Sequence, residues 1–80
     1  MKVKLLFFAS LSERLGRRCE TREVPEGASA ELVWRLLLAE NPALSGAPRP
    51  AFARNAEQVD GKDVLEEGDE VAFLPPVGGG

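Results

Sequence analysis

The sequence predicts an α+β domain, a mixed sheet with one main helix packed on one face. Three observations carry that prediction. Apolar residues alternate with period two at both ends of the chain, in Lys2-Val3-Lys4-Leu5-Leu6-Phe7-Phe8 and in Glu70-Val71-Ala72-Phe73-Leu74, which is the strand signature. Between them, Ser29 to Glu40 places its apolar residues at helical spacing, as an amphipathic helix does. Eighty residues leave room for one small domain, so helix and strands must share a core.

In the first strand, Val3, Leu5 and Phe7 form the face that turns to the core. The opposite face, Lys2, Lys4, Leu6 and Phe8, begins charged and ends apolar. Ser10 to Leu15 reads as one or two helical turns, with Ser10 in a capping position and Gly16 as the stop;. Arg18 to Val24 predicts a second strand, with Val24 as its core residue and Pro25 ending it;. In the main helix, Ser29 is the N-cap and Glu31 sits in the first turn, where the helix dipole favours an anion;. Leu32, Val33, Leu36 and Leu37 form its apolar stripe, and Trp34 falls off that stripe, half-buried at the helix edge. Asn41-Pro42 stops the helix, because a residue before proline is pushed out of the α region;. Residues 43–48 read as a loop, and Phe52 as the apolar residue of a short strand from Pro50 to Arg54. Asp60-Gly61 and Glu67-Gly68-Asp69 are turns, and the acidic run Glu66 to Glu70 reads as solvated;.

Composition excludes several functions. Ten Lys and Arg against 13 Asp and Glu give a net charge of −3, without the basic stripe of a nucleic-acid binder or of an anionic-membrane binder. The chain has no His, removing the usual general base and the commonest metal ligand;. A single Cys, Cys19, allows no internal disulfide and no multi-Cys metal site;. With no His beside it, it reads as a small structural residue. The longest apolar stretch, Leu32 to Ala39, is broken by Arg35 and is far short of the ~20 residues that span a bilayer;. The expectation is a cytoplasmic protein with no signal peptide, no bound cofactor and no metal site.

The C-terminal end points elsewhere. Pro75 and Pro76 follow the last strand directly, and two prolines cannot donate to a sheet ladder;. Val77 and then Gly78-Gly79-Gly80 follow. Residues 1–76 therefore read as the folded domain and 77–80 as an extended, flexible glycine tail. A tail without side chains threads a slot only as wide as a backbone and delivers a terminal carboxylate into another protein's active site. Attack of that carboxylate on the α-phosphate of ATP makes a mixed anhydride, from which a sulfur or amine nucleophile takes the acyl group. None of the catalytic groups need lie on this chain.

The run Gly68-Asp69-Glu70-Val71-Ala72-Phe73-Leu74-Pro75-Pro76-Val77 before a terminal Gly-Gly resembles the small subunit of molybdopterin synthase, the ubiquitin-like sulfur carrier of molybdenum cofactor biosynthesis. Lys4-Leu5-Leu6-Phe7-Phe8-Ala9, followed by Glu13 and Gly16, resembles the opening of that family. The resemblance implies a β-grasp fold over residues 1–76. It implies that an activating enzyme adenylates Gly80 with ATP and that the acyl-adenylate becomes a thiocarboxylate. It further implies a heterotetramer with the large synthase subunit, where sulfur passes to precursor Z (cyclic pyranopterin monophosphate). Gly80 is then the reacting residue, and Gly79 meets the steric requirement beside it. Two alternatives stay open at this point. One is a carrier for thiamine biosynthesis or tRNA thiolation, or a ubiquitin-like protein modifier. The other is a ubiquitin-like binding module with an inert tail.

In a β-grasp sheet the first and last strands are parallel neighbours at the centre. Alternation then sets Leu6 and Phe8 beside Leu74 on the face away from the helix. An uncovered sheet face is normally polar, so the expectation is a docking patch of Leu6, Phe8 and Leu74, continued by Pro75, Pro76, Val77 and Gly78.

Overall fold

A computed structural model of the protein describes residues 1–76. The elements run β1 (Lys2–Phe7), α1 (Ser10–Leu15), β2 (Cys19–Glu23), α2 (Ala30–Glu40), a 3-10 turn (Pro42–Leu44), β3 (Ala51–Arg54), β4 (Glu57–Val59) and β5 (Glu70–Leu74). They make one five-stranded sheet in the order β2-β1-β5-β3-β4. β1 runs parallel to β5, with Leu5 opposite Val71 and Phe7 opposite Phe73. The other pairings are antiparallel, so the sheet is mixed, as expected.

Alternation decides the two faces. Val3, Leu5, Phe7, Phe52, Val71 and Phe73 are buried on the α2 side. The Phe73 ring lies 5.8 Å from Phe7, 5.7 Å from Phe52 and 6.0 Å from Trp34 between centroids, within the range of favourable aromatic pairing.

α2 starts as the sequence predicts, with the Ser29 hydroxyl accepting from the Leu32 amide at 3.1 Å. Its buried stripe differs from the expectation. Ala30, Val33, Trp34 and Leu37 face the core, an i, i+3, i+4, i+7 set. Trp34 is only 4 % exposed, whereas Leu32 is 38 % exposed. The Trp34 indole packs on the Phe73 ring. Leu36 is half-buried at the margin.

Three further expectations are corrected. Ser10 does not cap α1: Ala9 holds the N-cap position at φ 48°, and no side chain caps the helix. The tight turn out of β1 is fastened instead by the Ser12 hydroxyl, which donates to the Ala9 carbonyl at 2.9 Å. Leu44, expected in a loop, is fully buried in the 3-10 turn that follows α2. β4, absent from the sequence reading, closes a hairpin on β3 through Asn55 and Ala56, both at positive φ, the pattern of a type I′ turn.

Asp69 explains why that turn holds without a glycine. It is 7 % exposed, not solvated as its acidic surroundings suggested. Its carboxylate accepts from Arg54 Nε at 2.6 Å, from Asn55 Nδ2 at 3.0 Å and from the Glu66 amide at 2.7 Å. Burial works against its ionisation, but these bonds from Asn55, Glu66 and Arg54 outweigh it and hold the carboxyl below its ordinary value;. On acidification the unfolded chain therefore takes up this proton first. The stabilisation is complete above the unfolded pKa and disappears as pH falls through the lower folded one. Asp69→Asn is expected to lower the melting temperature at neutral pH and to flatten its acid dependence between about pH 5 and pH 2. An unchanged acid slope in circular-dichroism melts would show that Asp69 is not the group responsible.

Candidate functional site

The uncovered face of the sheet carries the residues singled out from alternation. Leu6 stands opposite Cys19 on β2 and Ala72 on β5. Ala72 stands opposite Ala53, and Leu74 opposite Ala51. Leu6, Ala72, Ala53 and Leu74 are half-buried. Phe8, one residue past β1, donates its amide to the Phe73 carbonyl at 3.3 Å, which brings it level with the end of β5. Its ring is 45 % exposed. α1 buries Leu11 in the core but leaves Phe8 uncovered. Pro75 is half-buried and Pro76 exposed where the chain leaves the sheet. Leu6, Phe8 and Leu74 therefore share one face and one end of the sheet. Val77, Gly78, Gly79 and Gly80 lie outside the described residues.

Sequence reasoning missed the rest of this face. Phe8 and Leu6 line a shallow, open groove of about 490 Å³, whose other walls include Ala9, Ser12, Arg18 and Cys19. Cys19 is exposed and stands across from Leu6, a solvent-facing place at odds with the small structural role expected for it. The irregular alternation of Arg18 to Val24 hid this, since the face of Cys19 follows from its register with β1 and not from its own neighbours.

The tail end and the opposite end differ in charge. Glu66, Glu67 and Glu70 cluster where β1 and β5 begin, and β4 starts beside them at Glu57. Arg14, Arg17 and Arg18 lie around the turn from α1 into β2, at the end where the chain leaves β5.

A family model described as the ThiS family matches residues 5–80. The chain belongs to the ThiS family. The molybdopterin synthase sulfur carrier subunit of Chlamydomonas reinhardtii is 39 % identical over 83 residues, covering all of this chain and all of that protein. The family resemblance read from the sequence is thus borne out. Among solved structures, SAMP1 of Haloferax volcanii, a small archaeal modifier protein, superposes with a TM-score of 0.83 at 27 % identity, with both chains fully covered. The ThiS-family chain is accordingly a ubiquitin-like β-grasp, as expected. A chain from the complex of subunits 1 and 2 of the molybdopterin-converting factor of Helicobacter pylori matches with a TM-score of 0.69 at 26 % identity, again over both full lengths. Among the described residues no helix is long and apolar enough to cross a membrane.

Proposed function

We propose that this chain is the sulfur-carrying small subunit of molybdopterin synthase, working in the cytoplasm with no catalytic site of its own. The observation that carries the reading is the full-length match to a sulfur carrier subunit in a chain whose last strand leads directly into Pro75-Pro76 and the glycines. An activating enzyme binds ATP, and the Gly80 carboxylate attacks the α-phosphorus, releasing pyrophosphate and leaving an acyl-adenylate. A sulfide-level sulfur nucleophile from the partner then displaces AMP and leaves a thiocarboxylate. Gly79 leaves space for the backbone in the partner's channel. In the large subunit the thiocarboxylate sulfur displaces an oxygen substituent of precursor Z to give a thioester, and water hydrolyses that thioester, so the sulfur stays on the substrate and the tail returns to a carboxylate. A dithiolene holds two sulfurs, so two charged carriers serve each product, in line with a heterotetramer built on the large subunits.

The likeness to SAMP1 favours a second reading, in which a lysine amine takes the acyl group in place of sulfur. Mass spectrometry separates the two. The chain is incubated with its activating enzyme, ATP and a sulfur source. The carrier reading expects the C-terminal peptide to gain the mass difference between sulfur and oxygen. A branched lysine peptide without that gain supports the modifier, and no change at all overturns both.

Leu6, Phe8 and Leu74, with Pro75, Pro76, Val77 and Gly78 leading on, form the docking surface in this reading. An aromatic ring exposed on a half-apolar face is the usual anchor of such an interface. Phe8→Ala is expected to weaken binding to the large subunit by about 2 kcal/mol, roughly 30-fold, with little change in the melting temperature. Loss of the fold in this variant would assign Phe8 to the core and remove it from the surface.

A further inference from the structure

Six of the seven arginines have their guanidinium engaged within the domain. Arg14 donates to the carbonyls of Ala43 and Ser45. Arg17 pairs with Glu20, and Arg22 with Glu20 and Glu40. Arg35 and Arg49 both hold Glu31, and Arg54 holds Asp69 and Glu66. Arg18 is the exception: among the described residues its guanidinium has no hydrogen bond and no ion pair. Its backbone is fixed, since its carbonyl accepts from the Phe7 amide at 2.8 Å. Its exposed side chain lines the groove that Leu6 and Phe8 wall.

We propose that this groove receives a carboxylate side chain of the large synthase subunit, held by the Arg18 guanidinium; the inference rests on the reading of that subunit as the partner. The planar fork of arginine matches a carboxylate in two parallel bonds, which an ammonium does not. Beside it, the exposed Phe8 ring and Leu6 supply apolar surface that a partner would dry on docking, and a charge pair strengthens as water leaves. The charge layout adds direction. In a chain of net charge −3, an acidic partner surface is repelled by the glutamate-rich far end and drawn to the arginine-bearing end where the tail leaves. Complementarity of that kind sets orientation and association rate.

Titration calorimetry of the full chain against the large subunit tests this at about 0.05 M and about 0.5 M salt, where screening differs strongly. Arg18→Glu is expected to weaken binding about tenfold at low salt and less at high salt, with an unchanged thermal melt. Arg18→Gln, which removes the charge without reversing it, is expected to lose less with the same salt trend. Arg35→Glu, on the exposed side of α2, is expected to bind as the unaltered chain does. If both Arg18 variants bind like the unaltered chain at low salt, the inference falls and the proposed function stands. If the unaltered chain does not bind the large subunit, the proposed function falls and takes this inference with it.

Discussion

One alanine appended after Gly80 is expected to abolish the gain of sulfur, while the domain melts as before. The reacting carboxylate then sits one residue further along the chain, about 3.5 Å from its former place. Displacements of only ~1 Å at a reacting centre already reduce rates about a hundredfold. Under the proposed function, the added Cβ would also have to enter the partner's channel, which the glycines would leave free of side chains. The β-grasp core ends at β5, so the addition removes no core contact, and an unchanged melt separates lost chemistry from lost fold. The measurement is the mass of the C-terminal peptide after incubation with activating enzyme, ATP and sulfur source. An appended chain that is charged as fully as the unaltered one would sink the proposal that Gly80 is the acyl donor.

The second large effect is on stability. Phe73→Ala is expected to lower the unfolding free energy by about 3–5 kcal/mol. Phe73 is completely buried, and its ring is the hub that Phe7, Phe52 and Trp34 share. It also sits on β5, between β1 and β3, so the cavity would open where the two halves of the sheet meet. A chain of this length has about 4–12 kcal/mol in total at ~0.05–0.15 kcal/mol per residue. The variant is therefore expected to lose much of its cooperative transition in urea. A loss below about 1 kcal/mol would mean that the neighbouring rings close the gap by themselves, contrary to the general stiffness of cores.

The strands that alternate cleanly were legible. β1 and β5 have one face of Val, Leu and Phe, and period two specifies them without reference to anything distant. Ser29 and Asn41-Pro42 bracketed α2 because capping and proline sterics are local. Its buried face was harder to read. Leucines are plentiful all round the helix, and which of them face inward depends on the bulk that the sheet presents. Phe73 draws Trp34 inward, and Leu32 is left in water. β4 was not legible because Glu57-Gln58-Val59 has one apolar residue, and because Asn55-Ala56 turns without the glycine that usually marks such a hairpin. What holds that turn is Asp69, more than a dozen residues away, and no window of local sequence contains both. The proposed docking face was half legible. Leu6, Phe8 and Leu74 followed from alternation, while Arg18 and Cys19 reach the same groove through the β1–β2 register.

The central position of β5 has a mechanical consequence. A pull on the chain beyond Pro76 acts lengthwise along β5. The parallel ladder to β1 and the antiparallel ladder to β3 then resist together, each loaded in shear and not opened bond by bond as at a peeling edge. A partner that grips the last residues and tugs can therefore use the whole domain as a handle without unravelling it.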